Sequence, residues 1–153
     1  METNEVQKLL ELKAIIIRLR APDGCPWDIK QTPLSFKKYI LEEARELAEA
    51  IDQNDDKHIL EELGDLLFQV MFVNNLYEEQ GKFTFSDVID SITEKMIRRH
   101  PHVFGDATIT CEQDLREQWQ RIKAGEQNIC LNGNDIASAD LKQPEKITPD
   151  HAG

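Results

Sequence analysis

From Ile59 to Tyr77 the chain is apolar on nearly every side, and no other stretch constrains its fold as strongly. Placed at about 100° per residue on a helical wheel, Ile59, Leu63, Leu66, Leu67, Val70, Met71, Val73 and Leu76 leave one polar stripe, made of Glu62, Asp65 and Gln69. Such a helix is a buried central helix and needs cover on all sides. A carboxylate beside a core is costly unless it is paired, hydrogen-bonded or bound to a metal, so the stripe calls for a cation. A second acidic run, Glu42-Glu43-Ala44-Arg45-Glu46, lies on the preceding helix-like stretch.

The remaining sequence reads as further amphipathic helices. Val6, Leu9, Leu10, Lys13, Ile16, Ile17 and Arg20 recur at helical spacing and predict a first helix over 4–20. A loop with two prolines and a glycine follows, and Thr32-Pro33 then supplies an N-cap and a proline at the first position of a second helix over 33–52. Asn54-Asp55-Asp56 caps the apolar third helix and Gly81 closes it. Ser86 caps a fourth that ends near His100-Pro101, and Thr110, with Gln113 completing a capping box, opens a last helix that ends near Gly125. Strand signals are nearly absent. The expectation is one domain over 1–125, an all-α bundle of four to five helices, followed by a polar C-terminal tail over 126–153. So few helices leave apolar surface on the third uncovered, which predicts that dimerisation completes the core.

The formal net charge of −11 argues against a nucleic acid polymer as partner, because that binding needs an uninterrupted basic face. Cys25, Cys111 and Cys130 form no CxxC pair, and their odd number fits reduced thiols in a cytoplasmic protein better than a disulfide framework. The most apolar early segment, Ala14 to Leu19, is short and set among Glu11, Lys13, Arg18 and Arg20, so neither a signal peptide nor a membrane span is expected.

On the second helix Ile40, Ala44, Leu47, Ala48 and Ile51 share the expected core face, Glu43 and Glu46 lie on its flank, and Glu42 and Glu49 project further towards solvent. Residues three or four apart lie one above the other, so Glu43 with Glu46, and Glu62 with Asp65, can each aim two carboxylates at one point. Two such helices packed antiparallel bring four carboxylates together, and hard oxygen ligands of this kind suit Mg²⁺ or Mn²⁺ better than zinc. A di-iron bundle would show Glu-x-x-His, which is absent; His58 precedes Glu61 in the reverse order. Gly64 costs about 1 kcal/mol in a helix interior and predicts close helix approach there. The plainer alternative is that E-E-x-x-E marks a solvated helix face.

E-E-x-x-E followed on the next helix by E-x-x-D resembles the α-helical nucleoside triphosphate pyrophosphohydrolases, the superfamily that includes MazG, dimeric dUTPases and phosphoribosyl-ATP pyrophosphohydrolase. The segments Leu19-Arg20-Ala21-Pro22-Asp23-Gly24-Cys25-Pro26-Trp27-Asp28, Gln31-Thr32, Arg98-Arg99-His100-Pro101-His102-Val103-Phe104-Gly105 and Trp119-Gln120-Arg121-Ile122-Lys123 look like MazG itself. This resemblance implies that Glu43, Glu46, Glu62 and Asp65 bind Mg²⁺, with Mn²⁺ as a substitute, that nucleoside triphosphates are hydrolysed to monophosphate and pyrophosphate, and that the protein is a homodimer. Many MazG proteins carry two such domains, whereas this chain has length for one. Glu42, beside the ligands and less drawn into the core, is the candidate to orient or deprotonate the attacking water; a surface acid paired with Arg45 or Lys38 is the alternative. Lys95 and Arg99, spaced i, i+4 in a segment like the family's, would clamp the polyphosphate, and Trp27 or Trp119 would stack on the base; the commoner role of a lone tryptophan, a core anchor, is the alternative for each. Arg98 is expected in solvent, His100 and His102 in helix-end packing, and Asp28 and Gln31 either at the base or ordering the loop. The functional expectation is house-cleaning of surplus or non-standard nucleotides. Its alternatives are a relative restricted to dUTP or phosphoribosyl-ATP, and a non-catalytic acidic helical module that binds a regulatory protein.

Overall fold

The computed structural model describes residues 2–131, with side chains over 4–126, and the rest of the expected tail lies outside the described residues. In chain order the helices are α1 (Glu2–Arg20), α2 (Pro26–Ile29), α3 (Pro33–Gln53), α4 (Asp56–Glu79), α5 (Phe85–Arg99), α6 (Pro101–Phe104) and α7 (Glu112–Leu131). The described residues contain no strand, in agreement with the all-α expectation. The short helices α2 and α6 add to the five expected; each begins with proline at its first turn, where the missing N–H is not needed. The chain forms two compact units, one up to Met96 and one from Ile97 onward.

Local chemistry sets most boundaries in the first unit. The Thr32 hydroxyl accepts from Ser35 N at 3.2 Å while Ser35 Oγ accepts from Thr32 N at 3.0 Å, and Pro33 enters α3 behind them. Asn54 closes α3 in the left-handed region at φ 53°, and the next residue, Asp55, accepts from the Lys57 and His58 amides to open α4. Two residues therefore join the two longest helices into a hairpin. Gly81 lies just past α4 at φ 66°, a conformation glycine adopts without penalty. Two expected caps are shifted. Thr84, rather than Ser86, caps α5, because its amide and hydroxyl reach the Asp87 carboxylate at 2.6 and 2.7 Å. At α7 it is Asp114, not Gln113, that gathers the Thr110 and Cys111 amides at 3.1 and 3.2 Å. That helix runs through Gly125 to Leu131, since an interior glycine only weakens a helix and does not end it.

Ile16, Phe36, Met71, Phe72 and Leu76 form the core of the first unit, with Phe36 and Phe72 stacked at 4.2 Å. α4 packs chiefly against α3, and α1 packs against α4 and α2. Arg20, at the end of α1, ties these parts together: its guanidinium meets Glu79 through two bonds of 2.6 and 2.7 Å and also donates to the carbonyls of Asp28 and Gln31. Gly24 sits in the intervening turn against the Leu19 and Arg18 carbonyls, where any Cβ would collide with backbone.

The packed faces of the hairpin differ from the expected ones. α3 buries Phe36 and Ala50 and turns Tyr39 and Glu43 inward, whereas Ala44, Ala48 and Ile51 lie towards the outside. α4 buries Glu62, Gln69, Asn74 and Asn75 beside Met71, Phe72 and Leu76, and leaves Leu60, Leu63, Leu67 and Val70 exposed. The polar stripe faces the partner helix, and an apolar row stands uncovered in the single chain. Gly64 lies on an exposed part of α4, where an added Cβ would meet nothing within 4 Å, so no described helix of this chain approaches it.

In the second unit, Arg98 and Arg99 both bind Glu126 of α7, the two shortest contacts being 2.8 and 2.6 Å. Gln118 meets His102 Nδ1 at 3.0 Å. Among the described residues no helix is long and apolar enough to cross a membrane.

Candidate functional site

The α3–α4 hairpin places Glu43, Glu62 and Asp65 so that one carboxylate oxygen from each lies within 4.8 Å of the other two. Glu62 and Asp65 are three residues apart on α4 and so share a face. Glu43 is drawn to that face by Gln69, whose Nε2 donates to Glu43 Oε1 at 3.1 Å across the two helices. Glu62 is only 6% exposed. Its Oε1 meets His58 Nε2 at 2.9 Å, and its Oε2 is buried without a partner among the described residues. A buried, unpartnered polar atom costs about 1–3 kcal/mol and more when charged, so the site is short of positive charge. The donor set is all carboxylate oxygen, and its composition and spacing fit a metal ion.

Burial, and after it the nearby charges of Asp65, Glu46 and Glu62, hold the Glu43 carboxyl above its ordinary 4.5 against the lowering effect of the Gln69 hydrogen bond. The folded protein thus keeps this proton to a higher pH than the unfolded chain. The associated stability is fully present below pH 4.5 and is lost as pH rises through the folded value. Glu43→Gln, which retains an acceptor for Gln69, is therefore expected to melt higher than the parent at neutral pH in chelator, with the difference shrinking to nothing as pH falls towards 4.5. An unchanged difference across that range would contradict the assignment.

Glu46 lies outside the group of three: it stands 3.5 Å from Arg45, with its side chain 39% exposed, and bears on Glu43 as a like charge. Glu42 is exposed, and Arg45 engages Glu46 and Glu49 instead of it, while Lys38 lies over the Tyr39 ring. Lys95 belongs to the first unit and lines a shallow cavity with Phe83, Asp87 and Ile92. Arg99 belongs to the second unit, where its guanidinium holds Glu126 and lies 5.9 Å from the centre of the half-exposed Trp119 ring; Lys123 lies 4.9 Å from the same ring. Hydrogen bonds from Arg99 and then Arg98 hold the Glu126 carboxyl down at about 2. Arg98 is thus engaged and not simply solvated. Trp27 packs edge-on against Tyr39 at 5.4 Å and remains about half exposed. Asp28 is buried and Gln31 bonds Trp27 O and Ser35 Oγ, contacts that order the loop.

The residues that complete the cluster, His58 and Gln69, stand one helical turn before Glu62 and one after Asp65. Gln69 is signalled in the sequence as the third member of the polar stripe, whereas His58 is signalled only by its spacing from Glu62.

A helical hairpin carrying E-E-x-x-E on one arm and E-x-x-D on the other, with carboxylates turned into the seam, defines an all-α protein with an acidic site between two helices. Residues 31–104 match the MazG nucleotide pyrophosphohydrolase domain, so the chain carries a MazG domain. That match contains both acidic motifs, Lys95 and Arg99, but neither Trp27 nor Trp119. The chain is 51% identical over 116 residues to the Thermotoga maritima "Nucleoside triphosphate pyrophosphohydrolase/pyrophosphatase MazG", covering 76% of this chain and 44% of that protein. It is 42% identical over 124 residues to the Escherichia coli K12 "Nucleoside triphosphate pyrophosphohydrolase", covering 80% and 46%. The crystal structure of a mazG-related protein from Thermotoga maritima superposes with a TM-score of 0.63 at 26% identity, over 74% of this chain and 97% of that one. The chain spans less than half the length of these two curated relatives.

Proposed function

We propose that the protein hydrolyses nucleoside triphosphates between the α- and β-phosphates, releasing nucleoside monophosphate and pyrophosphate, with Mg²⁺ as cofactor and Mn²⁺ as a substitute. The observation that carries this reading is the seam of Glu43, Glu62 and Asp65 with its unpartnered Glu62 oxygen, lying within a MazG match. The names of the relatives support it. When bound, the metal neutralises phosphate charge and lowers the pKa of water. Glu43, Glu62 and Asp65 would hold it, with Glu46 as an outer member of the set. Glu42, exposed beside Glu43, would take the proton from the attacking water as its oxygen bonds to the α-phosphorus and pyrophosphate leaves. Lys95 and Arg99 would bind the polyphosphate, and Trp119 or Trp27 the base. Incubation with a panel of nucleoside triphosphates and Mg²⁺ is expected to yield monophosphate and pyrophosphate, and chelator is expected to stop it. Release of orthophosphate alone would overturn the reading. Comparable kcat/KM across the panel would fit house-cleaning, whereas a single strong substrate would fit a dUTP- or phosphoribosyl-ATP-restricted enzyme. A non-catalytic acidic module would melt at the same temperature with and without Mg²⁺.

The protein would work in the cytoplasm as a homodimer. The uncovered row Leu60, Leu63, Leu67 and Val70 supports this, because a monomer rarely exposes so much contiguous apolar surface. The open space over Gly64 would admit a second copy closely. Sedimentation at micromolar concentration is expected to give twice the chain mass of 17.6 kDa; a stable monomer would contradict it.

A further inference from the structure

Gln69 is 8% exposed, lies between the two helices that carry the carboxylates, and donates from Nε2 to Glu43 Oε1 at 3.1 Å. Its own Oε1 is buried without a partner among the described residues. An amide can present either its donor or its acceptor to a carboxylate, and only the donor makes a bond, so the contact fixes the orientation of the side chain. The bond joins α3 to α4 at a point one turn beyond Asp65. It engages a single oxygen of Glu43, in a carboxylate that has one oxygen within 4.8 Å of an oxygen of both Glu62 and Asp65. Without it, Glu43 is half-buried, free to rotate, and repelled by two like charges on the opposite helix.

We infer that Gln69 is a positioning residue that holds the Glu43 carboxylate at the mouth of the α4 acidic stripe, so that a divalent cation meets a preformed set of three oxygens. A neutral donor suits this task. A lysine or arginine in its place would neutralise the cluster and compete with the cation, and a fourth carboxylate would add repulsion. The inference rests on the cation reading of the Glu43, Glu62 and Asp65 seam, and the test separates the two.

Mn²⁺ is titrated into the metal-free full chain without nucleotide, with free Mn²⁺ followed by electron paramagnetic resonance, for the parent, Gln69→Leu, Glu43→Ala and the double variant. Loss of a group that orients a ligand typically weakens metal binding about 10- to 100-fold, and this is the expected effect of Gln69→Leu. In the Glu43→Ala background the same substitution is expected to change affinity by less than about twofold, because Gln69 acts through Glu43. Metal-free melting of Gln69→Leu is expected to stay close to the parent's, which a merely structural residue would not allow. Gln69→Met, of similar volume, replaces it if the leucine variant fails to fold. Affinity of the single variant within about twofold of the parent, or losses that add in the double variant, would overturn the inference. A parent protein that leaves Mn²⁺ free would overturn the cation reading itself.

Discussion

Glu62→Gln is expected to raise the melting temperature of the metal-free protein while lowering turnover about a thousandfold, or about 4 kcal/mol in barrier height. The two effects share one cause. The Glu62 carboxylate is nearly fully buried, has one oxygen without a partner, and stands within 4.8 Å of two other carboxylates. An amide of the same volume removes the like-charge repulsion and keeps an acceptor for His58, which bonds the present Oε1 at 2.9 Å. Relief of about 1 kcal/mol would lift the midpoint by roughly 2–4 °C in a chain of this size. The same change removes the anionic oxygen that a metal needs. The parent is therefore expected to gain stability on adding Mg²⁺ and the variant is not, a difference of about 2.7 kcal/mol at a metal concentration about one hundred times Kd. Melting curves with and without Mg²⁺, beside monophosphate release, decide the matter. A lower metal-free midpoint in the variant would mean that Glu62 is a structural partner of His58 and that the cluster is stable as it stands.

Arg20→Met is expected to destabilise the fold by about 3 kcal/mol, equivalent to roughly 6–12 °C. The Arg20 side chain is 10% exposed, and its guanidinium joins Glu79 on α4 to the carbonyls of Asp28 in α2 and Gln31 in the link between α2 and α3. Methionine keeps much of the packing over Phe72, whose ring lies 5.6 Å from the guanidinium carbon, so the loss reports mainly the hydrogen bonds. Glu79 retains Asn75, at 2.8 Å, and is close enough to solvent to be hydrated; the two carbonyls lose their donor. The segment carrying Trp27 should then loosen before the hairpin does. Hydrogen exchange is expected to show faster opening of residues 21–32 with α4 protection retained. Uniform loss across α1, α3 and α4 would show that Arg20 supports the whole unit and not this loop.

The hairpin is legible in the sequence because its limits are set by short-range chemistry. Thr32-Pro33, Asp55 and Gly81 act within a few residues of themselves, and each does what its type predicts. The faces are harder to read. A wheel drawn by hydrophobicity turns Ala44, Ala48 and Ile51 inward, whereas α3 turns in Phe36, Tyr39, Glu43 and Ala50. The rule of apolar inside and polar outside holds only in part along this seam, where Glu43, Glu62 and Gln69 turn in beside Phe36 and Phe72. The acidic residues are visible as a group, but which carboxylates converge depends on the register of two helices, and that register leaves Glu46 beside Arg45. Arg98 escapes the sequence for a different reason. Its partner Glu126 lies just past the glycine that reads as the end of the last helix, and α7 continues through it.

The two-residue turn at Asn54 and Asp55 has a kinetic consequence. Glu43, His58, Glu62, Asp65 and Gln69 all lie within one hairpin whose arms are joined by almost no slack. Contacts of short sequence separation cost little loop-closure entropy and form early. The carboxylates are therefore expected to meet before α1 docks, so that their mutual repulsion would act on the folding barrier as well as on the finished protein. A divalent cation present during refolding would act as a nucleating ion, speeding the formation of the hairpin that later serves it.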